Sequence, residues 1–217
     1  MKKILRIKRQ KGRGAEPYWQ EFEYESDDES VSVATALMSL PVRWEHSCLQ
    51  KRCGACAMVI DGRPSLACDR RLFELSSELV VIEPLRKFPV IEDLLVDRQS
   101  IMDTLKKRSV WLTDDSDLRS EDTVFEAAGC LNCGLCLEVC PNFNIEGSFG
   151  GMSLMSSMVR LMAEAKDEQI KALKKDYEKG VYAGCGKSLA CRDICPAGLD
   201  MEKLLIKGNF AGRRHIL

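Results

Sequence analysis

Eleven cysteines in 217 residues fall into three groups, and their spacing restricts what this chain can become. The first group is Cys48-x4-Cys53-x2-Cys56-x11-Cys68. The second is Cys130-x2-Cys133-x2-Cys136-x3-Cys140, followed by Pro141, and the third is Cys185-x5-Cys191-x3-Cys195, followed by Pro196. Four, four and three account for every thiol. Thiolate is the ligand that iron–sulfur clusters select, and both kinds of spacing are ones such clusters use. Otherwise the composition is that of an ordinary globular protein, 45% hydrophobic and 30% charged. Met1 to Lys11 alternates apolar and charged residues and lacks the unbroken apolar stretch of a signal peptide. Nothing approaches the roughly 18 uninterrupted apolar residues of a membrane span. A cytoplasmic chain, soluble by itself, is expected, and in that compartment dense cysteine means metal or redox chemistry rather than disulfides. A net charge of −1 leaves no basic footprint, so nucleic acid is not expected as a partner.

Residues 3–9 read as a strand, and Tyr18 to Tyr24 alternates like its hairpin partner, with Gly12 and Gly14 between them. Val31 to Leu40 has helical spacing and is ended by Pro41. Ala57 to Ile60, then Asp61-Gly62, then Leu66 onward reads as a hairpin, and Val80 to Ile82 as a final strand. From there the texture turns helical. Ile91, Leu94, Leu95, Ile101, Met102 and Leu105 predict one amphipathic helix, Met152 to Ala165 a second, and Ile170 to Tyr177 and Met201 to Lys207 two more. The expected fold class is α+β. A plant-type ferredoxin (β-grasp) domain over residues 1–95 precedes an all-helical bacterial-type ferredoxin domain over 96–217.

The first group has the Cys-x4-Cys-x2-Cys spacing of a plant-type [2Fe–2S] centre, with Cys48, Cys53, Cys56 and Cys68 as ligands. Gly54 and Ala55 are small enough to let backbone N–H groups turn toward the sulfurs. Only 11 residues intervene between Cys56 and Cys68, fewer than in plant ferredoxins, which makes this a variant framework. A tetrahedral zinc site is the structural alternative, although zinc ligand pairs typically sit closer together. The second group matches the bacterial run in which three cysteines bind one cubane and the fourth binds another cluster. Cys130, Cys133 and Cys136 are therefore expected on a [4Fe–4S] cluster completed by Cys195, while Cys140 crosses over. The third group lacks one cysteine of a full run, and Ser188 stands in its place. Serine is a poor ligand for a soft site, so a [3Fe–4S] cluster on Cys140, Cys185 and Cys191 is expected. A [4Fe–4S] cluster with the Ser188 oxygen or water on its fourth iron is the alternative.

With Cys48-Leu49-Gln50-Lys51-Arg52-Cys53-Gly54-Ala55-Cys56, the Cys130–Pro141 run, Cys185 to Pro196, Arg6-Ile7-Lys8-Arg9 and Pro17-Tyr18-Trp19, the chain resembles the iron–sulfur subunit of succinate dehydrogenases and fumarate reductases over nearly its whole length. The resemblance implies a flavoprotein partner that carries FAD and the dicarboxylate site. It implies electrons passing between that flavin and a quinone held at membrane-anchor subunits, where haem is a further option. It also implies a peripheral location on the inner face of the cytoplasmic membrane. Residues near such a quinone would be Pro141, Asn142, Phe143 and Lys187. The paired tryptophans and histidine of many ubiquinone-using members are absent at the corresponding places, which resembles the menaquinone-using branch.

Met152, Met155, Met158 and Met162 suit a partner groove or plain core packing, and helical spacing favours the core. His46 invites a Rieske assignment, which fails because His215 is the only other histidine. Two other redox readings remain: the iron–sulfur subunit of a soluble or differently partnered flavoprotein reductase acting on another unsaturated acid, and a stand-alone ferredoxin-like carrier.

Overall fold

The structure, a computed structural model, describes residues 1–113 and 115–213; His215 lies outside the described residues. The chain forms two compact units, Met1–Arg98 and Gln99–Leu217.

The first unit is built on a five-stranded sheet of order β2-β1-β5-β3-β4. Strand β1 (Lys2–Arg9) pairs antiparallel with β2 (Tyr18–Glu25) and parallel with β5 (Leu79–Glu83). Alternation along β1 sends Leu5 and Ile7 fully inside and leaves the intervening side chains half-buried. Lys3 follows the buried phase, and its ammonium is satisfied by donating to the carbonyls of Leu75 (2.7 Å) and Ser77 (2.6 Å). Strands β3 (Ala57–Ile60) and β4 (Arg63–Leu66) form the hairpin that Asp61-Gly62 signals, both turn residues lying at positive φ (+48° and +75°). Helix α1 (Val33–Met38) is shorter than its sequence pattern. The Ser32 side chain accepts from the Thr35 N–H as its N-cap, and Val33, Ala34, Ala36 and Leu37 are buried.

One predicted helix is overturned in part. Residues 90–96 form a small hairpin of β6 (Val90–Glu92) and β7 (Leu95–Val96), and helix α2 begins only at Gln99 and ends at Lys107. Ile91, Leu94 and Leu95 met helical spacing, but Asp93 between them adopts φ +51° and anchors the turn. Its buried carboxylate accepts from Arg9 Nη2 (2.8 Å) and Nε (3.1 Å) and from the backbone N–H groups of Arg43 (3.0 Å) and Gln10 (3.2 Å). A division at 95/96 would cut β7, and the first unit runs on to Arg98.

The second unit is helical. After α2 come α3 (Glu121–Ala128), the short α4 (Leu135–Glu138), α5 (Gly151–Glu164), α6 (Asp167–Tyr177) and α7 (Met201–Arg213). A π-helical turn at Glu178–Tyr182 extends α6, and a 3-10 turn at Arg192–Ile194 precedes α7. Helix α5 is apolar around most of its circumference and accordingly forms the centre of the core, with Leu154, Met155, Met158, Val159, Leu161 and Met162 all buried. Three of its methionines are thus core residues, while Met152 is only half-buried.

Candidate functional site

In the first unit, residues 48–56 form a loop whose backbone is bent by three residues at positive φ: Leu49 (+52°), Lys51 (+60°) and Gly54 (+74°). These bends aim amide protons at sulfur. The N–H groups of Gln50 (3.3 Å) and Arg52 (3.4 Å) donate to Cys48 Sγ, and that of Lys51 (3.3 Å) donates to Cys68 Sγ. Cys68 arrives on a 3-10 turn at Ala67–Asp69, pinned by Ala67 N–H to the Cys56 carbonyl at 2.9 Å. The Cys56 thiol lies 3.4 Å from Cys68 Sγ, and Cys53 hydrogen-bonds Cys48. All four thiols therefore meet at one loop. The amides of Gln50 and Arg52 hold Cys48 down to about 7, whereas burial pushes Cys56 up to about 12.

In the second unit, Cys130, Cys133, Cys136 and Cys195 rim one recess, together with Met152, Ser153 and Ser156 of α5. Gly134 (φ +85°) between the second and third of these thiols starts α4. A neighbouring recess is rimmed by Cys140, Cys185 and Cys191, and Cys136 lines both. The chain thus crosses itself: Cys140 leaves the first run for the second recess, and Cys195 returns to the first. Ser188 lies on the second recess between two residues at positive φ, Lys187 (+56°) and Leu189 (+55°), and accepts from the Ala190 N–H at 3.5 Å.

Of the residues expected near a quinone, Asn142 and Lys187 line this second recess, Asn142 donating to the Gly184 carbonyl at 2.7 Å. Lys187 Nζ sits 5.9 Å from the Tyr182 ring centroid. Phe143 faces a different recess, with Leu137 and Ile101, and Pro141 is exposed. The His46 ring centroid stands 4.5 Å from that of Trp44.

The donor sets suit polynuclear iron. Among the described residues no three Cys, His, Asp or Glu side chains close on one point as around a single ion; the thiols rim wider recesses instead. Burial pushes Cys130, Cys136 and Cys191 upward, Cys136 most of all, and the neighbouring sulfurs of each set push in the same direction. Such thiolates are tolerable only beside compensating positive charge, which iron supplies. Residues beyond the cysteines also shape the first loop. Arg98 donates to the carbonyls of Gly54 (2.9 Å) and Ala55 (3.2 Å), and no local pattern signals a contact across 43 and 44 residues.

Residues 3–103 match the 2Fe-2S iron-sulfur cluster binding domain family, and residues 129–198 match the 4Fe-4S double cluster binding domain family. The succinate dehydrogenase iron-sulfur subunit of Bacillus subtilis is 34% identical over 224 residues, spanning 90% of this chain and 86% of the relative. The fumarate reductase iron-sulfur subunit of Wolinella succinogenes is 28% identical over 212 residues, or 87% of each chain. The fold matches a chain of the Mycobacterium smegmatis Sdh1 complex in its apo form with a TM-score of 0.76 at 20% identity, covering 100% of this chain and 99% of that one.

Proposed function

Because this chain belongs to the iron–sulfur subunit family of succinate dehydrogenases and fumarate reductases, we propose that it relays electrons between the FAD of a flavoprotein subunit and a menaquinone at a membrane anchor. When bound, the three clusters supply one-electron conduction, so the dicarboxylate chemistry resides on the partner. The observation that carries the reading is the sorting of eleven thiols into one loop and two adjoining recesses, with Ser188 on the third-cluster recess. Cys48, Cys53, Cys56 and Cys68 hold [2Fe–2S] in a plant-type β-grasp domain that runs on to Arg98. Cys130, Cys133, Cys136 and Cys195 hold [4Fe–4S], and Cys140, Cys185 and Cys191 hold [3Fe–4S], in a bacterial-type helical domain that begins at Gln99.

The protein's own residues do three things. Amides of Gln50, Lys51 and Arg52 donate to the sulfurs of the first set and stabilise added negative charge there. Met152, Met155 and Leu205 wall the second recess with apolar surface and limit water. Asn142 and Lys187, on the rim of that recess, present polar groups to a quinone head group. No helix among the described residues is long and apolar enough to cross a membrane, so attachment to the inner face of the cytoplasmic membrane would rest on the anchor subunits.

Electron paramagnetic resonance of the anaerobically purified complex tests this. The expected result is a [3Fe–4S] signal when oxidised, with [2Fe–2S] and [4Fe–4S] signals on stepwise reduction. An oxidised sample that is silent and yields two cubane signals on reduction would overturn the third assignment and favour a differently partnered flavoprotein reductase.

A further inference from the structure

Arg98 is the last residue of the first unit, and its side chain is only 14% exposed. Its guanidinium reaches acceptors that include the following three. Nη1 reaches the Gly54 carbonyl at 2.9 Å, Nη2 reaches the Ala55 carbonyl at 3.2 Å, and Nη2 also pairs with the Glu45 carboxylate. Gly54 and Ala55 are the two residues between Cys53 and Cys56, and Gly54 holds φ +74°. In a trans peptide the C=O and the following N–H point in opposite directions. Fixing these two carbonyls on the guanidinium therefore turns the Ala55 and Cys56 amide protons away from it, across the turn. A planar fork with several donors holds two successive carbonyls in one fixed geometry, and an arginine cannot shed its proton.

We propose that Arg98 is a positioning residue that sets the Cys53–Cys56 turn and raises the reduction potential of the N-terminal cluster, with Glu45 as its opposing charge. The proposal rests on the reading that Cys48, Cys53, Cys56 and Cys68 hold a [2Fe–2S] cluster. Its sign follows from electrostatics. One added electron makes the cluster more negative, and a buried cation beside it is screened little by salt or water. Glu45, whose side chain is 46% exposed, cancels part of that field and has the opposite effect. The Lys51–Asp69 pair between this loop and the turn that carries Cys68 (2.8 Å, side chains 45% and 39% exposed) is the contrasting case, being wetter and more screened.

The experiment is a redox titration of the full chain carrying its clusters, purified anaerobically and followed by electron paramagnetic resonance. The [4Fe–4S] and [3Fe–4S] signals serve as internal standards. Arg98→Gln is expected to lower the reduced-to-oxidised ratio of [2Fe–2S] at fixed potential about tenfold, equivalent to about 59 mV for one electron. Glu45→Gln is expected to raise that ratio by about threefold, less because the group is more exposed. Arg98→Lys keeps the charge but loses the fork, so its midpoint stays near that of the parent while cluster occupancy falls. A purely structural role would move Arg98→Gln and Glu45→Gln in the same direction, and that result overturns the proposal. So does an unmoved midpoint in Arg98→Gln with its signal intact. If Arg98→Gln fails to hold the cluster, Glu45→Gln decides alone, and a fall or no change there refutes the inference. Absence of any [2Fe–2S] signal from the parent chain would instead refute the underlying cluster assignment.

Discussion

Ser188 sits between two left-handed residues at the rim of the second recess, where a full cysteine run would place a thiol. Ser188→Cys should therefore complete a four-thiol set and convert [3Fe–4S] to [4Fe–4S]. The oxidised-state resonance would disappear and a cubane signal would appear on reduction, whereas persistence of the oxidised signal would show that residue 188 does not face the open corner. This position was readable from sequence because ligand spacing is local. Arg98 and Glu45 were not, since Arg98 reaches backbone carbonyls 43 and 44 residues away and Glu45 meets Arg98 across 53 residues, contacts that carry no sequence signature. Asp93 was equally hidden. Burial alone would raise its carboxyl, but Arg9 and the amides of Arg43 and Gln10 outweigh that and hold it below its ordinary value. A depressed carboxyl contributes stability that is present above the unfolded value of about 3.9 and is lost as pH falls through the folded one. Asp93→Asn should cost about 3 kcal/mol at pH 7, because the Arg9 charge is left unpaired. The gap to the parent in urea unfolding should close below about pH 4; a gap constant with pH would argue against the ion pair as its source.

At the scale of elements, period-3.6 and period-2 patterns revealed the long pieces and failed where a turn interrupts them. Helix α5 and strand β1 were plain because one bulk apolar phase runs through each. The β6–β7 hairpin was masked because its apolar residues happen to recur at helical intervals, while the determinant, a left-handed aspartate bonded to distant groups, lies outside any periodicity. Packing between α6 and α7 carries its own constraint. A Cβ added at Gly208 would stand 2.6 Å from Tyr177 Oη and 2.8 Å from Val159 Cγ2. Tyr177 is fully buried and donates to Asn209 Oδ1 at 2.8 Å, so it has little room to yield. Gly208→Ala should destabilise by about 1–3 kcal/mol despite the better helix propensity of alanine. In a Tyr177→Phe background the penalty should shrink, since the nearest clashing atom is gone, and denaturant unfolding of the double-mutant cycle measures that coupling. Simple additivity would mean that the Tyr177 hydroxyl is not what opposes the added methyl.

For the whole molecule, two units with separate cores imply separable losses. Cys68→Ser should abolish the [2Fe–2S] signal and leave the other two. Cys195→Ser should weaken both signals of the helical unit, because Cys195 closes the first recess while the same short segment carries Cys191 to the second. Loss of only the [4Fe–4S] signal would show that the recesses are independent. The crossing of Cys140 and Cys195 also imposes an order in time. The sulfurs of the N-terminal loop are all present once residue 68 has been synthesised, so that loop is competent to receive iron while the ribosome is still working. The helical unit has no such early stage: its first recess lacks a wall until residue 195 emerges, and its second until residue 191. Iron delivery to this half must therefore wait until residue 195 has been made, and a translation arrest between residues 140 and 184 would leave its four thiols, Cys130, Cys133, Cys136 and Cys140, without the partners that close either recess.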